Sequence, residues 1–286
     1  MKQALCTITS NTEVMPGIYL IWIEAPNIAC SVQPGQFITV RCGDFTLRRP
    51  FSIHQGSSPS FPSGGKNSGG GEIALLFKVA GKGTLWLSQR RTGDKIDILG
   101  PLGNGFSIEP GAKNLLLVAG GIGIAPLVFL MQHASSQHQI TLIHGASTAA
   151  QLYPFSSLSL TLNPSPSKGK GKGKSEERSK LPSLPSGVQF IPVTEDGSMG
   201  KKGMATDILR DSLDWADQVY ACGPVDMYKA IALTAQKCQV SLEVRMGCGF
   251  GACYGCTINT KKGLKQVCRD GPVFELADII WQEVKI

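Results

Sequence analysis

The chain has 286 residues, of which 42% are hydrophobic and 17% charged, and its formal net charge at pH 7 is +7. This balance excludes a disordered chain and a coiled coil, which need far more charge, and the length suggests about two domains. Residues 163–186 contain six Lys or Arg and two Glu, so they hold +4 of the net charge. Because the basicity is largely confined to this tract, no nucleic-acid-binding face is expected.

The N-terminus and the most apolar run of the chain bear on its location. Residues 3–15 are mixed polar and lack the apolar core of a secretory signal peptide. Residues 114–132 carry no formal charge, but three glycines and a proline interrupt them. A buried strand, a turn and a core-facing helix explain this run better than a membrane span does. We therefore expect a cytoplasmic protein without a membrane segment.

The first 110 residues are dominated by short β-type segments. Runs rich in β-branched and aromatic residues, separated by Gly or Pro, occupy positions 18–23, 37–40, 73–79 and 95–99. Several strands at this spacing predict an antiparallel β-barrel, which we assign to residues 1–110. One helix is expected from Thr84 to Gln89, with Thr84 at its N-cap.

After the barrel the pattern changes to alternating strands and helices. Apolar runs that predict strands occupy positions 115–119, 139–144, 188–193 and 218–221. Helices are expected up to His133 and over residues 206–215. Such alternation indicates an α/β domain with a parallel sheet, which we assign to residues 111–242. The remaining residues 243–286, rich in Cys and Gly, are expected to form a small C-terminal subdomain.

The chain has nine cysteines, an odd number that excludes a fully paired disulfide scaffold. Four of them are spaced C-x4-C-x2-C-x11-C, namely Cys248, Cys253, Cys256 and Cys268. The first three match the spacing of plant-type [2Fe–2S] ferredoxins. Interspersed glycines let a tight loop bend and turn its N–H groups toward anionic sulfur. We predict a [2Fe–2S] cluster on these four cysteines.

Two other interpretations of the cysteine motif stay open. Zinc sites usually pair C-x2-C knuckles, and here only Cys253 and Cys256 form one, so structural zinc is disfavoured. Four unrelated buried cysteines would leave both the clustering and the interspersed glycines unexplained.

A glycine-rich turn follows the first predicted strand of the parallel sheet. Gly120, Gly121 and Gly123 would let the backbone approach a pyrophosphate, and Pro126 suits the first turn of the following helix. A purely structural turn is an alternative. The helix behind the turn and the cysteine motif favour nucleotide binding.

Three further segments carry groups suited to a flavin or a nicotinamide. In Arg49-Pro50-Phe51-Ser52, on a predicted strand, Arg suits a phosphate and Ser a ring nitrogen or carbonyl. Gly83 and Thr84 lie at the start of a predicted helix, where a second phosphate group could bind. Cys222-Gly223-Pro224 ends a strand at the edge where open α/β sheets bind ligands, although a plain tight turn also explains it.

Together these motifs resemble the ferredoxin–NADP reductase superfamily. Its pattern is an Arg-Pro-x-Ser flavin motif on a barrel, a Gly-Gly-x-Gly-x-x-Pro nucleotide loop and a Cys-Gly-Pro near the nicotinamide. The order of barrel, nucleotide domain and C-terminal [2Fe–2S] loop is similar to the electron-transfer subunits of two-subunit, NAD-dependent dihydroorotate dehydrogenases, over nearly the whole chain. The stretches 56–71 and 163–186, which we expect to be flexible surface loops, look longer than the family pattern.

The resemblance implies which residues hold the cofactors. FAD is expected on Arg49, Pro50, Phe51 and Ser52, with further contacts from Leu76, Phe77, Lys78, Gly83 and Thr84. NAD is expected on the glycine-rich turn and the Cys-Gly-Pro segment, and the [2Fe–2S] cluster on the four C-terminal cysteines.

The resemblance also implies an electron relay. Electrons from dihydroorotate would leave the FMN of a catalytic partner subunit, pass through the [2Fe–2S] cluster and FAD, and reduce NAD⁺ in pyrimidine biosynthesis. The two kinds of subunit are expected to form a heterotetramer with two of each. No acid–base catalytic residue is expected in this chain, which alone should act as an NADH-oxidising diaphorase.

Two alternative functions and one expectation about cofactor preference accompany this interpretation. A flavin and iron–sulfur subunit of an NADH-dependent ferredoxin–NADP oxidoreductase or a sulfide dehydrogenase would look similar. A non-catalytic metal-cluster binding module is an alternative of another class, and it would bind no FAD. No Lys or Arg occurs between Lys113 and Lys168. Because the 2′-phosphate of NADP normally needs one near the end of the second strand, we expect a preference for NAD(H).

Overall fold

The computed structural model describes residues 1–56, 71–156, 181–235 and 237–284. The surface loops expected at 56–71 and 163–186 lie for the most part outside these ranges. Within the ranges, no helix is both long and apolar enough to cross a membrane.

Six antiparallel strands close into an N-terminal barrel, as the sequence predicts. In chain order they are β1 (Lys2–Met15), β2 (Ile18–Glu24), β3 (Phe37–Val40), β4 (Arg49–Gly56), β5 (Glu72–Lys78) and β6 (Lys95–Leu102). Around the barrel the order is β1-β2-β5-β4-β3-β6, and each neighbouring pair is antiparallel. A short helix, α1 (Pro26–Ala29), follows β2. Closure of the barrel removes exposed strand edges.

Strand β1 is the one barrel strand whose sequence gives no β pattern. Its segment is mixed polar because most of its side chains are exposed or half-buried, and Cys6, Ile8 and Met15 are the buried ones. The strand is held by pairing with β2 on one side and β6 on the other. Such non-local pairing decides strand formation where the local pattern is weak.

Helix α2 (Lys82–Ser88) confirms the helix predicted after β5 but begins earlier than expected. Gly81 occupies the N-cap, so the prediction of Thr84 as N-cap is wrong. Thr84 is the third helical residue, and its Oγ1 accepts hydrogen bonds from the N–H groups of Ala80 and Gly81 at 2.9 and 3.1 Å. The threonine therefore satisfies backbone donors from inside the first turn, as a capping-box side chain does.

The second domain is built on a mostly parallel sheet, as predicted. Its strands and those of the C-terminal segment are β7 (Asn114–Gly120), β8 (Gln139–Ala146), β9 (Val188–Thr194), β10 (Lys201–Lys202), β11 (Gln218–Cys222), β12 (Cys238–Ser241), β13 (Thr257–Thr260), β14 (Gly263–Gln266) and β15 (Val273–Glu275). The sheet order is β10-β9-β8-β7-β11-β12-β15, and β13 pairs with β14 in a separate hairpin. All pairs of the sheet are parallel except β12 with β15.

Strand β7 is buried on both faces of the sheet. Leu115 and Leu117 pack with helix α3 (Ile124–Ala134), whereas Leu116 faces the core on the opposite side. Burial on both faces explains why the run is continuously apolar rather than alternating. The cluster around α3 also includes Leu76 of the barrel, so this helix joins the barrel to the sheet.

The helix predicted over residues 206–215 is largely wrong, because only α4 (Arg210–Leu213) is helical there. The Asp207 carboxylate accepts a hydrogen bond from the N–H of Met204 at 2.7 Å, which fixes a turn before the helix. Leu209 is buried against the sheet in that turn. Local side-chain bonds and tertiary packing therefore override the helical pattern here.

The C-terminal segment leaves the sheet and then returns to it. After helix α5 (Val225–Ala232) and β12 come the cysteine loop (residues 247–256), the β13–β14 hairpin and helix α6 (Val267–Asp270). Strand β15 then pairs with β12. Val267, Leu276 and Trp281 belong to the same apolar core as the sheet. The cysteine loop is therefore anchored on both sides by the nucleotide domain.

Candidate functional site

The structure brings the four predicted ligand cysteines together around one loop. Three lie in the connection from β12 to β13 and the fourth in α6, namely Cys248, Cys253, Cys256 and Cys268. Backbone N–H groups point at their sulfurs. Cys248 Sγ accepts from Ala252 at 3.2 Å, and Cys268 Sγ accepts from Gly251 at 3.1 Å. The loop thus presents N–H dipoles to sulfur, as an anionic cluster requires.

Two glycines of this loop have backbone conformations that other residues rarely adopt. Gly249 has a φ of +80° and Gly251 a φ of +92°, both in the left-handed region. A Cβ on Gly249 would lie 2.8 Å from Thr39 Cγ2, and one on Gly251 would lie 3.0 Å from Arg269 Cδ. Glycine is therefore required here for both conformation and close approach.

Backbone hydrogen bonds to sulfur link the cysteines in two pairs, Cys248 with Cys253 and Cys256 with Cys268. The N–H of Cys253 lies 3.4 Å from Cys248 Sγ, and that of Cys268 lies 3.4 Å from Cys256 Sγ. In the part of the chain that the structure describes, no three His, Cys, Asp or Glu side chains converge on a single metal-ion site. A zinc site needs four ligands around one ion, whereas a [2Fe–2S] cluster takes two thiolates on each iron. The paired arrangement fits the cluster.

The loop also lowers the pKa of one thiol. Burial alone would raise the pKa of Cys248, but hydrogen bonds from the N–H groups of Phe250, Cys253 and Ala252 lower it to about 6. Desolvation, with the neighbouring Cys256, raises the pKa of Cys268 to about 12. Because thiolate is the form that binds metal, the lowered pKa suits Cys248 to the role of a metal ligand.

Arg49 lies against the start of α2. A Cβ on Gly83 would fall 3.0 Å from Arg49 Nε, so a glycine lets the first turn of the helix come this close. Arg49 Nη1 donates to the carbonyl of Leu47 at 2.8 Å, which holds the guanidinium. The structure thus brings Arg49 next to Gly83 in the first turn of α2, the turn that also holds Thr84, although the sequence places them in separate segments.

The other residues of the expected flavin site line β4 and β5. Ser52 is half-buried, and among the described residues its hydroxyl has no hydrogen-bond partner. Phe51 and Phe77 pack edge to face with their ring centroids 5.6 Å apart. Leu76 and Phe77 bury their side chains in the core, so these two residues present backbone rather than side chain to a ligand. Lys78 is exposed at the end of β5.

The glycine-rich turn and the Cys-Gly-Pro segment touch each other. A Cβ on Gly120 would lie 2.7 Å from Pro224 Cδ, and one on Gly123 would overlap the carbonyl of Cys222. These two glycines are therefore needed for packing. Gly121 differs, because it is exposed, has a φ of +54° and has open space around its Cβ position. Of the three, it is the glycine most available to a ligand.

Both segments lie at the carboxyl edge of the sheet where the strand order reverses. Strand β7 has β8 on one side and β11 on the other, which is the switch point where such sheets bind nucleotides. A Cβ on Gly223 would lie 3.1 Å from Gly120 Cα. Pro126 is buried in the first turn of α3, where a missing N–H costs no hydrogen bond.

Glu243 is a residue of this edge that sequence reasoning missed. It follows β12 and remains open to solvent, yet the surrounding protein raises the pKa of its carboxyl. Burial raises the pKa of Cys222, and the charge of Glu243 raises it further. The carboxyl therefore lies near enough to the Cys-Gly-Pro segment for its charge to act on Cys222. The available signal was an acid directly after a buried strand.

Acidic side chains also follow β9 at the same edge. Ser147, directly after β8, donates to Glu195 Oε1 at 2.9 Å, and Ser198 donates to Asp196 Oδ1 at 2.6 Å. The lack of basic residues after the second strand could be predicted from the sequence, whereas these acids were not predicted as part of the site. A carboxylate here repels a 2′-phosphate and can accept a hydrogen bond from a ribose hydroxyl.

The cysteine loop contacts the barrel beside the flavin-motif strand. Gly249 packs on Thr39 of β3, and β3 pairs with β4 so that Phe37 opposes Ser52 and Thr39 opposes Pro50. Neighbouring strands lie about 4.8 Å apart. The cysteine loop therefore lies about one strand away from the Arg-Pro-x-Ser segment.

Known proteins are similar to this chain in sequence. The family model for the iron–sulfur cluster binding domain of dihydroorotate dehydrogenase B matches residues 243–280. The chain is 38% identical to the dihydroorotate dehydrogenase B (NAD(+)) electron transfer subunit of Desulforamulus reducens, over 94% of this chain and 95% of that one. It is 32% identical to the same subunit of Shouchella clausii, over 98% of both chains.

Solved structures agree with the fold. The NADH-dependent reduced ferredoxin-NADP oxidoreductase structure, reported for flavin-based electron bifurcation, matches with a TM-score of 0.76 and 28% identity over 98% of this chain and 91% of that one. A ferredoxin NADP+ reductase from Neisseria gonorrhoeae, with bound FAD and NADP, shares the fold with a TM-score of 0.58 and 17% identity over 82% of this chain and 90% of that one.

The barrel, the parallel sheet and the cysteine loop define an oxidoreductase with the ferredoxin–NADP reductase fold, as the sequence predicts. Within that class, the chain belongs to the family of dihydroorotate dehydrogenase B (NAD(+)) electron transfer subunits. The resemblance drawn from the motifs is thereby confirmed, and so is the prediction of an iron–sulfur domain at the C-terminus.

Proposed function

We propose that the chain takes electrons from the FMN of a dihydroorotate dehydrogenase catalytic subunit and delivers them to NAD⁺, in pyrimidine biosynthesis. When bound, a [2Fe–2S] cluster supplies one-electron transfer and FAD supplies the exchange between single electrons and the hydride of NAD(H). The observation that carries the proposal is the packing of Gly249 on β3, next to the strand of Ser52. This packing makes the cysteine loop and the flavin strand neighbours.

The barrel residues 1–110 bind FAD in this proposal. Arg49 neutralises phosphate charge beside Gly83 and Thr84 at the start of α2. Ser52 uses its free hydroxyl to hydrogen-bond the edge of the flavin ring. Pro50 and Phe51 complete the β4 segment, and Leu76, Phe77 and Lys78 contribute from β5.

The nucleotide domain, residues 111–242, binds NAD at its carboxyl edge. The turn formed by Gly120, Gly121 and Gly123, with Pro126 behind it, takes the pyrophosphate at the start of α3. The segment Cys222-Gly223-Pro224 contacts the nicotinamide side, and Glu243 adds a carboxyl near Cys222 at the same edge of the sheet.

The cysteine loop in residues 243–286 faces the partner subunit in this proposal. Phe250 is 47% exposed and Tyr254 68% exposed, on either side of the exposed Cys253. Large apolar side chains exposed together are typical of protein interfaces. Tyr254 also has a φ of +57°, a strained conformation of the kind found at functional sites. A heterotetramer of two subunits of each kind in the cytoplasm completes the proposal.

A second candidate function is a subunit of an NADH-dependent ferredoxin–NADP oxidoreductase or a sulfide dehydrogenase. The likeness to the solved NADH-dependent oxidoreductase over 98% of this chain favours it. The identity of at least 30% to named dihydroorotate dehydrogenase subunits favours the first function. Supplying dihydroorotate to the purified complex separates the two candidates.

Co-purification of the tagged chain from its native cells, followed by an orotate-forming assay, tests the proposal. We expect an FMN-containing partner and NAD⁺-dependent orotate formation. The double variant Phe250→Ser/Tyr254→Ser should lose the partner but keep FAD and the cluster. Leu5→Ala is the matched control, because Leu5 is 66% exposed on β1, on another side of the barrel. A complex that forms no orotate contradicts the proposal.

A further inference from the structure

Two buried histidines form hydrogen bonds with backbone carbonyls of the glycine-rich turn, residues 120–126, which we call the nucleotide turn. His54, two residues after Ser52 on β4, has its Nδ1 2.9 Å from the carbonyl oxygen of Ala125 in the first turn of α3. His144, near the end of β8, has its Nε2 3.1 Å from the carbonyl oxygen of Gly121. Both side chains are fully buried. Side chains of β4, the strand that carries Ser52, and of β8 therefore form hydrogen bonds with the same turn.

Tyr153 joins these two histidines. Its hydroxyl lies 2.8 Å from His54 Nε2, and its backbone N–H lies 3.3 Å from His144 Nδ1. The side chain is 1% exposed, and its ring packs edge to face on Phe155 with centroids 4.9 Å apart. We define His54, Tyr153 and His144 as the histidine clamp. The Tyr153 hydroxyl thus serves the histidine that holds Ala125, and its backbone N–H serves the histidine that holds Gly121.

The partners of the clamp fix the proton positions on both rings. A carbonyl only accepts, so His54 carries its proton on Nδ1 and its Nε2 accepts from the Tyr153 hydroxyl. By the same reasoning, His144 carries its proton on Nε2 and accepts the Tyr153 N–H at Nδ1. Burial lowers the pKa of each histidine to about 4, so both stay neutral at physiological pH. Every ring nitrogen of the clamp is satisfied.

We propose that Tyr153 is a positioning residue, which, through His54 and His144, fixes the nucleotide turn relative to the flavin strand. The inference rests on the proposed function, since it assigns the turn to NAD and β4 to FAD. Hydride transfer requires the reacting atoms of the nicotinamide and flavin rings to be held about 3–3.5 Å apart, and small displacements of either ring slow the reaction. His54 couples Ala125 directly to the strand that carries Ser52, and Tyr153 connects His144, which holds Gly121, to the same histidine. It therefore acts on nucleotide binding through the backbone, without touching the substrate.

Tyr153→Phe tests the clamp because it removes the hydroxyl and keeps the ring. In the full chain loaded with FAD and cluster, we expect faster amide hydrogen exchange in the first turn of α3 around Ala125, whereas His144 keeps its bond from the backbone N–H of residue 153. We also expect the KM for NADH to rise roughly three- to tenfold, with kcat changed less than about twofold and FAD content unchanged. If Tyr153 only stabilised the fold, Tyr153→Phe would lower the melting temperature without raising KM more than it changes kcat.

Tyr220→Phe is the matched control, because Tyr220 is equally buried and its hydroxyl donates to the carbonyl of Ser107 at 3.0 Å. It should leave both the exchange and the KM at wild-type values. The clamp is overturned if Tyr153→Phe matches the wild type, or if Tyr220→Phe changes both readouts as much. A wild-type chain that binds no FAD contradicts the proposed function instead, and the exchange measurement still reports on the clamp.

Nitrogen NMR of the histidine side chains provides a test that needs no variant. The wild-type chain should show neutral His54 as the Nδ1–H tautomer and neutral His144 as the Nε2–H tautomer. The opposite tautomer at either ring would overturn the hydrogen-bond assignment on which the clamp depends.

Discussion

The two glycine-rich loops of the molecule are held in opposite ways. The cysteine loop, residues 247–256, exposes Phe250, Cys253 and Tyr254, and its backbone N–H groups are directed at sulfur. The nucleotide turn, residues 120–126, leads into a helix that is buried almost throughout, and buried histidines bind its carbonyls. We therefore expect the first loop to depend on a bound cluster for its order, whereas buried side chains of the protein hold the second.

This difference follows from what each loop does in the proposed function. A loop that exchanges electrons with a partner subunit must lie at the surface, and there metal–thiolate bonds replace a protein core. A turn that holds a nucleotide at hydride-transfer distance gains from being rigid before the ligand arrives. We therefore predict that loss of metal disturbs the cysteine loop and leaves the nucleotide turn intact.

The largest effect is expected from Cys253→Ser, which removes a thiolate from the proposed cluster. The wild-type chain, purified without oxygen, should carry about two irons and two labile sulfides, and the variant should lose essentially all of both. Cys30→Ser is the control, because Cys30 is exposed and outside the motif. Iron, sulfide and zinc analyses are the measurements, and stoichiometric zinc without sulfide would contradict the assignment.

The same variant tests the comparison of the loops by hydrogen exchange. Residues 247–256 should lose protection in Cys253→Ser, because metal bonds no longer order them, whereas residues 120–126 should exchange as in the wild type. Equal loss of protection in both segments would show that the two loops are not independently held.

The next largest effect is expected at Arg49. Loss of a charge-assisted hydrogen bond costs about 1.5–3 kcal/mol, so Arg49→Ala should weaken FAD binding roughly ten- to a hundredfold. Flavin fluorescence after dialysis measures the loss. Arg91→Ala, at an exposed arginine beyond α2, should retain FAD. Unchanged flavin content in Arg49→Ala would count against the flavin site.

A smaller effect is expected on cofactor choice. Removing the charge in Glu195→Gln should raise kcat/KM for NADPH roughly tenfold at physiological salt, because a nearby carboxylate repels the 2′-phosphate. The value for NADH should change little. Asp214→Asn is the control, since Asp214 follows α4 rather than β9. Equal use of NADH and NADPH by the wild type would refute the expected preference.

Deletion of residues 168–180 removes the lysines of the basic tract 163–186 and tests whether they influence the preference for NADH over NADPH. The preference for NADH should persist in the shortened chain, because a tract that folded back onto the nucleotide would lose conformational entropy. A loss of NADPH use on deletion would instead identify the tract as a phosphate-binding arm.

The smallest effect is expected at Ser52. Ser52→Ala should keep most FAD but slow reduction of the flavin by NADH roughly fivefold, as expected for one lost hydrogen bond. Stopped-flow absorbance measures the rate. Ser88→Ala removes a hydroxyl that donates to the carbonyl of Leu85 on α2, and it should reduce at the wild-type rate. An unchanged rate in Ser52→Ala would remove the serine from the flavin site.

Features encoded in short segments could be predicted from the sequence. Strand β3 matches its predicted bounds, and the spacing of the four cysteines identified the iron–sulfur domain. In these cases residue type and spacing carry the physics locally. The Thr84 N-cap shows the limit, because choosing between Gly81 and Thr84 needs backbone geometry.

Features created by tertiary proximity could not be predicted. Strand β1 is stabilised by its two neighbours, and Glu195 meets Ser147 only because β8 and β9 are adjacent. The contact between His54 and Tyr153 joins residues 99 positions apart. A lone histidine in a strand carries no local signal of its partner, so only the fold reveals the clamp.

Reconstitution with the catalytic subunit tests the central claim most directly. The complex should reduce NAD⁺ with dihydroorotate under anaerobic conditions, and one carrying Cys253→Ser should lose this activity. The same variant should keep FAD and still reduce dyes with NADH, because its barrel and nucleotide domain are intact. Dihydroorotate-dependent NADH formation at the wild-type rate by a complex shown to lack the cluster would contradict the account.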